Sequence, residues 1–348
     1  MRSDSALPPA GSPGPSETPE AAAGAATRTG RGALGMSLGA IGGLLAALAA
    51  MLILFSLLSD TFFTVPTFTT IANEIPDLLV MAVGMTFVLM IGGIDLSVGS
   101  VLALSASMLS IAMTRFGWGL APAALLGVLA ATATGALTGA VTVRWGIPSF
   151  IVSLGVLEMA RGLAYSLTDS RTVYLGGAVD WLATPIALGI APAFLIAIAI
   201  TVIGQVVLVR TVFGRYLVAI GTNEEAVRLA GVNPHPYKIA VFALMGWLSG
   251  LAALFQVSRL EAADPNAGGG MELQVIAAVV IGGTSLMGGR GSVARTLFGV
   301  LIISVLEAGL AQIGASEPTK RIITGAVIVA AVVMDTYRTR TNRVITRQ

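Results

Sequence analysis

"PDLLVMAVGMTFVLMIGGIDLSVGS", residues 76–100, opens on Pro76 and Asp77, runs apolar to a glycine pair, admits a second carboxylate, Asp95, and then resumes as a second apolar run. From Pro76 to Ile91 there are 16 residues, or about 24 Å of helix at 1.5 Å per residue. Crossing a hydrocarbon core of about 30 Å takes roughly 20 apolar residues, so in lipid this helix breaks before the far face. Composition identifies the solvent: 55% of the 348 residues are hydrophobic and 11% are charged, whereas soluble domains carry about 25% charged residues. The chain reads as an all-α, polytopic membrane protein.

Outward from this stretch, apolar segments fall near 34–58, 75–91, 96–113, 119–143, 148–167, 187–209, 238–257, 271–283, 294–313 and 320–335, giving about ten transmembrane helices. The eighth, "MELQVIAAVVIGG" (271–283), offers only about 20 Å before glycines interrupt it. Two of the helices are thus expected to be interrupted near glycine pairs. Bared backbone within a bilayer survives where protein buries it or where it lines a wet cavity, and paired broken helices point to a transport path. The expected path is Gly92, Gly93, Asp95, Ser97 and Gly99 at the first break, with Gly282, Gly283, Thr284 and Ser285 at the second. The shared "IGG" at 91–93 and 281–283 hints at an internal repeat.

Asp95 admits two compatible readings. It and Ser97 cap the helix that restarts behind the glycines, or an intramembrane acid faces a cavity and handles solute or ions. Glu158 and Arg161 lie three apart on one predicted helix and can pair. Glu307 has no partner nearby in sequence, so it faces a polar interior or is protonated.

Residues 1–32 are rich in Pro, Ser, Gly and Ala and lack aromatics, which predicts a disordered cytoplasmic tail. The transmembrane domain should span 33–336, with a basic cytoplasmic tail at 337–348. With the amino end inside, fourteen Lys/Arg fall in the cytoplasm and five outside, and Arg161 falls within a span. This asymmetry obeys the positive-inside rule and puts both termini in the cytoplasm. The scatter of basic residues between apolar spans argues against nucleic acid. No cysteine is present, so there is neither a disulfide framework nor a thiolate metal site.

The cytoplasmic segment at about 210–237 contains "TNEEAVRLAGV", a predicted short helix. Asn223 or Thr222 suits its N-cap, Glu224 and Glu225 its positive end, Arg228 the next turn and Gly231 its stop. Such a helix, showing Ala226, Val227, Leu229 and Ala230, either docks into another protein's groove or is an ordinary amphipathic loop helix.

Three stretches carry a resemblance: "GMTFVLMIGGIDLSVGSVLALSA" (84–106), "FGRYLVAIGTNEEAVRLAGVNPHPYKIAVFALMGWLSGLAAL" (213–254) and "LQVIAAVVIGGTSLMGGRGSVARTLFGVLI" (273–302). In order and spacing the chain beyond its tail resembles the permease subunits of bacterial ABC importers of the ribose, xylose and galactose type, within the wider branched-chain amino acid and sugar permease family. The amino-terminal tail is longer than is usual there. The resemblance implies a second permease copy in the inner membrane, a cytoplasmic ATPase, an extracytoplasmic solute-binding protein and a small sugar as cargo. It also implies that Asn223, Glu224, Glu225, Arg228, Leu229 and Gly231 belong to the segment that touches the ATPase. A non-sugar solute, such as a nucleoside or a branched-chain amino acid, is the alternative within that family.

No "GxxxxGK[ST]" phosphate loop occurs, so the chain is expected to be a non-enzymatic subunit without a cofactor, its ATP bound by the partner ATPase. A serine protease needs a base beside its nucleophile, and the only histidine, His235, sits between Pro234 and Pro236 in the cytoplasmic loop. An aspartyl protease needs two carboxylates sharing a proton, and Asp95 has only Glu158 or Glu307 to meet. A secondary transporter driven by protons through Asp95 or Glu307 is the rival class.

Overall fold

The computed structural model describes residues 41–333 apart from 187, 328, 331 and 332. The expected tails at 1–32 and 337–348 lie outside the described residues. The chain divides into Met1–Gly43, of which three residues are described, and a large unit, Leu44–Gln348.

The described residues are mostly helical. In chain order the helices are α1 (Ile41–Leu58), α2 (Val65–Glu74), α3 (Pro76–Met90), α4 (Val98–Thr114), α5 (Leu120–Trp145), α6 (Ser149–Thr168), α7 (Pro192–Arg210), α8 (Val212–Thr222), α9 (Glu224–Leu229), α10 (His235–Leu260), α11 (Met271–Ile281) and α12 (Val293–Gln312). A further helical stretch occupies 317–327. Among the described residues one small sheet pairs β1 (Val173–Tyr174) with β2 (Ala262–Ala263) antiparallel, with Val173 opposite Ala263.

Six described helices are long and apolar enough to cross a membrane, or seven if α2 and α3, bent by 49° across Ile75, form one crossing. This falls short of the ten expected from hydropathy. The difference has a physical source: α4 has 17 residues and α11 only 11, so the second rises about 16 Å. Hydropathy counts apolar segments, and an apolar segment walled in by protein need not span.

Burial shows that walling. All 15 residues of α3 are buried, and so are 14 of the 17 in α4. By contrast, α7 buries one stripe, Ala193, Ala197, Thr201, Gly204 and Leu208, and leaves the rest of its apolar surface out. A helix hydrophobic all round is either inside the protein or against lipid, and α3 and α7 illustrate the two cases.

Helices α5 and α10 pack closely. A Cβ on Gly139 would stand 2.9 Å from Ile239 Cα, and one on Gly250 would stand 2.8 Å from Val128 Cα. Gly135 on α5 faces Gly246 on α10, while Gly139 faces Ile239 and Phe242 and Gly250 faces Val128 and Ala131, so each helix carries a pair of glycines four apart in the seam. In lipid, small residues at that spacing let backbones approach and supply the dispersion contact that holds helices together.

Candidate functional site

Helix α3 ends in a local stop. Gly92 takes φ +72°, its N–H donates to Leu89 O at 2.9 Å, and the N–H of Gly93 donates to Val88 O at 3.0 Å. This is the Schellman pair, which satisfies carbonyls that the helix end would leave open. The stretch that follows lies along the start of α6: the Ile94 N–H donates to Ser149 Oγ at 2.9 Å, and the Leu96 N–H donates to Ser153 Oγ at 3.0 Å. The two hydroxyls are one helical turn apart and take alternate amides of an extended chain. The Ser153 hydroxyl in turn donates to Phe150 O.

Asp95 is 2% exposed, and its Oδ1 accepts from both the Ser97 N–H, at 2.9 Å, and the Ser97 hydroxyl, at 2.6 Å. Ser97 itself occupies the N-cap of α4 without accepting from that helix, and Asp95 accepts only from Ser97, so the expected capping of the free α4 amides by these two side chains is not formed; Asp95 instead closes the turn ahead of the helix. Gly99 meets the loop before α11: a Cβ there would collide with Gly268 O and stand 3.0 Å from Glu272 Oε2. Arg161 holds that loop, its Nη1 donating to Pro265 O at 2.6 Å and Ala267 O at 2.7 Å. The expected pairing of Arg161 with Glu158 is not formed; Glu158 is exposed, and the guanidinium turns instead to two carbonyls of a loop more than 100 residues away in sequence.

Helix α11 stops by the same pair one residue later, at Gly283 with φ +82°. The N–H groups of Gly283 and Thr284 donate to Val280 O and Val279 O at 2.8 and 3.2 Å. The loop then folds on itself, Ser285 N–H to Arg290 O at 2.8 Å and Met287 N–H to Ser285 Oγ at 3.2 Å. Gln205 of α7 receives the restart, its Oε1 accepting from the Ala294 N–H at 2.9 Å. Gly282 is buried against α12, and Thr284 is fully buried with no hydrogen-bond partner for its Oγ1 among the described residues.

The two breaks touch. The Gly289 N–H donates to Met90 O at 2.9 Å, and a Cβ on Gly288 would stand 2.9 Å from both Gly92 N and Gly221 O. Gly221 and Thr222 end α8, so the breaks meet under the segment that leads into α9. There Asn223, not Thr222, is the N-cap, its Oδ1 accepting from the Ala226 N–H at 3.0 Å. Glu224 is tied to Lys238 of α10 at 2.5 Å, and Glu225 to Arg228 at 2.7 Å. The Glu225 carboxylate pushes the Arg228 guanidinium pKa further up. Gly231, at φ +84°, stops the helix. Val227 is buried, contrary to expectation, because the six-residue α9 packs against α8 and turns this one side chain inward. Ala226, Leu229 and Ala230 are exposed as expected, with Leu229, 79% exposed, the large apolar side chain among them.

At the other end of α3 lies a cavity of about 190 Å³, lined by Glu74, Asp77, Gln256, Arg259, Gln274, Ser304 and Glu307 together with Ile71, Ile75, Leu78 and Met271. Arg259 bridges to Asp77 at 2.8 Å, and Gln274 Nε2 donates to Glu307 Oε1 at 2.7 Å. Glu307 therefore faces a polar interior. None of the nine residues expected on the path lines this cavity. The signal that marks it is thin: single Gln and Glu residues inside otherwise apolar spans.

Residues 67–332 match the profile of the family described as the permease component of the branched-chain amino acid transport system. The chain belongs to that permease family. It is 39% identical to the ribose import permease protein of Haemophilus influenzae over 300 residues, covering 84% of this chain and 91% of that protein. It is 36% identical over 310 residues to the L-arabinose ABC transporter permease protein of Azospirillum brasilense, covering 84% and 87%. With the fructose import permease protein of Rhizobium meliloti it shares 32% identity over 293 residues, covering 81% of each. No solved structure matches the chain. This permease is a multi-pass membrane protein.

Proposed function

We propose that this permease is the membrane subunit of an ABC importer for a monosaccharide of the ribose, xylose or galactose kind, paired with a second copy of itself in the bacterial inner membrane. A separate cytoplasmic ATPase binds the ATP, and a solute-binding protein delivers the sugar from outside. The relatives named for ribose, arabinose and fructose import support the cargo class. Ten crossings put both termini in the cytoplasm, counting α2 with α3 as one and taking α4, α11 and the stretch from 317 as members. Two of these helices are interrupted at the glycine pairs.

One observation supports the coupling route above others: α8 ends at Gly221 and Thr222 in contact with both breaks. In this reading ATP closes the partner domains, which press on α9 through Glu225, Arg228 and Leu229. The push travels through Gly221 to Gly288 and the Met90 carbonyl, and so reorients the broken ends of α3 and α11. Gly92, Gly93, Asp95, Ser97, Gly282, Gly283, Thr284 and Ser285 then line the inner end of the path, with Gly99 further along it, against the loop before α11. Such coupling is a free-energy difference between two membrane conformations, biased at a distance.

Proteoliposomes holding the permease, its ATPase and the binding protein test this reading. Sugar uptake is expected to require ATP on the ATPase side and to survive an uncoupler; uptake abolished by the uncoupler would assign the protein to proton-driven transport. Glu225→Ala and Gly231→Ala are expected to lower uptake at least about fivefold while the complex still co-purifies and hydrolyses ATP. Full uptake in both variants removes the coupling role from α9.

A further inference from the structure

We infer that the cavity between the α2–α3 bend and helices α10, α11 and α12 is an outer binding site for the sugar, occupied between delivery and release. This rests on the import reading and adds to it a site remote from both glycine breaks.

Position comes first. The breaks and α9 gather at one end of the fold, and four elements place the cavity at the other. In α3 the lining residues Asp77 and Leu78 precede the Met90 contact by about 18 Å of helix. On α12, Ser304 and Glu307 follow the Gln205-capped start by about 17 to 21 Å. In α10, Gln256 and Arg259 lie about 27 and 32 Å beyond Lys238, which is tied to Glu224. Met271 and Gln274 open α11, whose far end is the second break. If α9 faces the ATPase, the cavity faces the binding protein.

The chemistry of the wall selects the ligand. Arg259 is already committed to Asp77, and one oxygen of Glu307 to Gln274. Gln256, Ser304 and the Glu74 carboxylate make no side-chain hydrogen bond to another described residue, and all three line the space. They offer acceptors, donors and a hydroxyl that is both. Ile71, Ile75, Leu78 and Met271 give the same space an apolar side. A neutral polyol fits that mixture, because each hydroxyl donates to a carboxylate or accepts from an amide while its C–H faces rest on the aliphatic side chains. An amino acid would need a cation for its carboxylate, and Arg259 is taken. No group of three His, Asp or Glu side chains among the described residues is arranged for a metal ion. About 190 Å³ is the room of about six waters at roughly 30 Å³ each, a space on the scale of one small polar solute.

The chain lacks cysteine, so Ser304→Cys supplies a unique probe. In the reconstituted transporter, a small membrane-impermeant thiol reagent added on the binding-protein side is expected to label Cys at 304. Binding protein loaded with D-ribose, L-arabinose or D-fructose, whichever is transported, should slow labelling at least about threefold, and unloaded binding protein should not. Ser304→Ala and Gln256→Leu should each cut uptake at low sugar by about three- to tenfold. They should also change the ratio of preferred to second-best sugar, with ATP hydrolysis kept. Labelling that ignores the loaded binding protein, or unchanged uptake and sugar preference in both variants, overturns the site while the import reading stands. An unmodified transporter that carries none of these three sugars, nor xylose or galactose, sinks the import reading and this site with it.

Discussion

The two helices that end in Ile-Gly-Gly stop by one mechanism, set one residue out of step. At the first break the left-handed residue is Gly92, the first glycine of the pair; at the second it is Gly283, the second of the pair. Ile91 is accordingly a C-cap, whereas Ile281 is still helical. The letters repeat, but the position that plays each part does not. The restarts differ further: seven residues separate α3 from α4 and lie extended against two serines of α6, whereas eleven separate α11 from α12 and fold on themselves. A helix stop is written locally in the sequence, and a helix restart is written by whichever neighbour receives the freed amides.

The sharpest way to break this comparison is to add one methyl group at each glycine. A Cβ on Gly282 would stand 2.7 Å from Thr296 Cα and 2.8 Å from Arg295 O, both backbone atoms. Gly282→Ala therefore forces α11 and α12 apart, at about 3 kcal/mol or more. Gly92 and Gly283 have open space around them, nothing nearer than 3.6 Å. Ala there pays only for the left-handed conformation, about 1 to 2 kcal/mol. Unfolding of the purified permease in detergent should rank Gly282→Ala far below Gly92→Ala and Gly283→Ala. If the two first glycines behave alike, the one-residue offset is wrong.

The stops were legible because their grammar is short-range. Glycine pairs after apolar runs, Asn223 before two glutamates and Gly231 after Ala230 each act within five residues. The partners of the restarts were not. Ser149 and Ser153 are 55 and 57 residues from the amides they hold, and Gln205 is 89 from Ala294. Nothing in a serine inside an apolar helix says which amide it will meet. The polar cavity was hidden for the same reason, its wall being drawn from five helices. Glu307 stood out as a carboxylate without a local partner, and its partner, Gln274, lies 33 residues away. Val227 was misplaced because a six-residue helix is too short for a period to show its inner face.

A smaller effect separates the two restarts. Ser149→Ala and Ser153→Ala each strip a partly buried amide of its acceptor, at about 1 kcal/mol apiece. Gln205→Leu frees one backbone N–H, that of an exposed residue, Ala294, and should cost less. Hydrogen exchange reads this directly: the amides of Ile94 and Leu96 should lose protection one at a time in the single variants, about fivefold each. Equal loss at both amides in either single variant would mean that the extended stretch is held as a unit by something other than the two hydroxyls.

The smallest expected effect tests the one chemical difference between the breaks. Residues 282–292 contain no carboxylate, whereas the first break buries Asp95. If Asp95 acts as a turn-forming acceptor, a neutral side chain with the same oxygen suffices. Asp95→Asn keeps an oxygen for the Ser97 N–H and hydroxyl, so uptake should stay within about twofold of the unsubstituted permease. Asp95→Ala removes both bonds, leaves the amide of a buried residue without that acceptor and should cost about 1 to 3 kcal/mol. Should Asn fail as badly as Ala while the protein stays folded, the negative charge itself is needed. The first break would then do something to solute or ion that the second, with no charge to offer but the exposed Arg290, has no means to match.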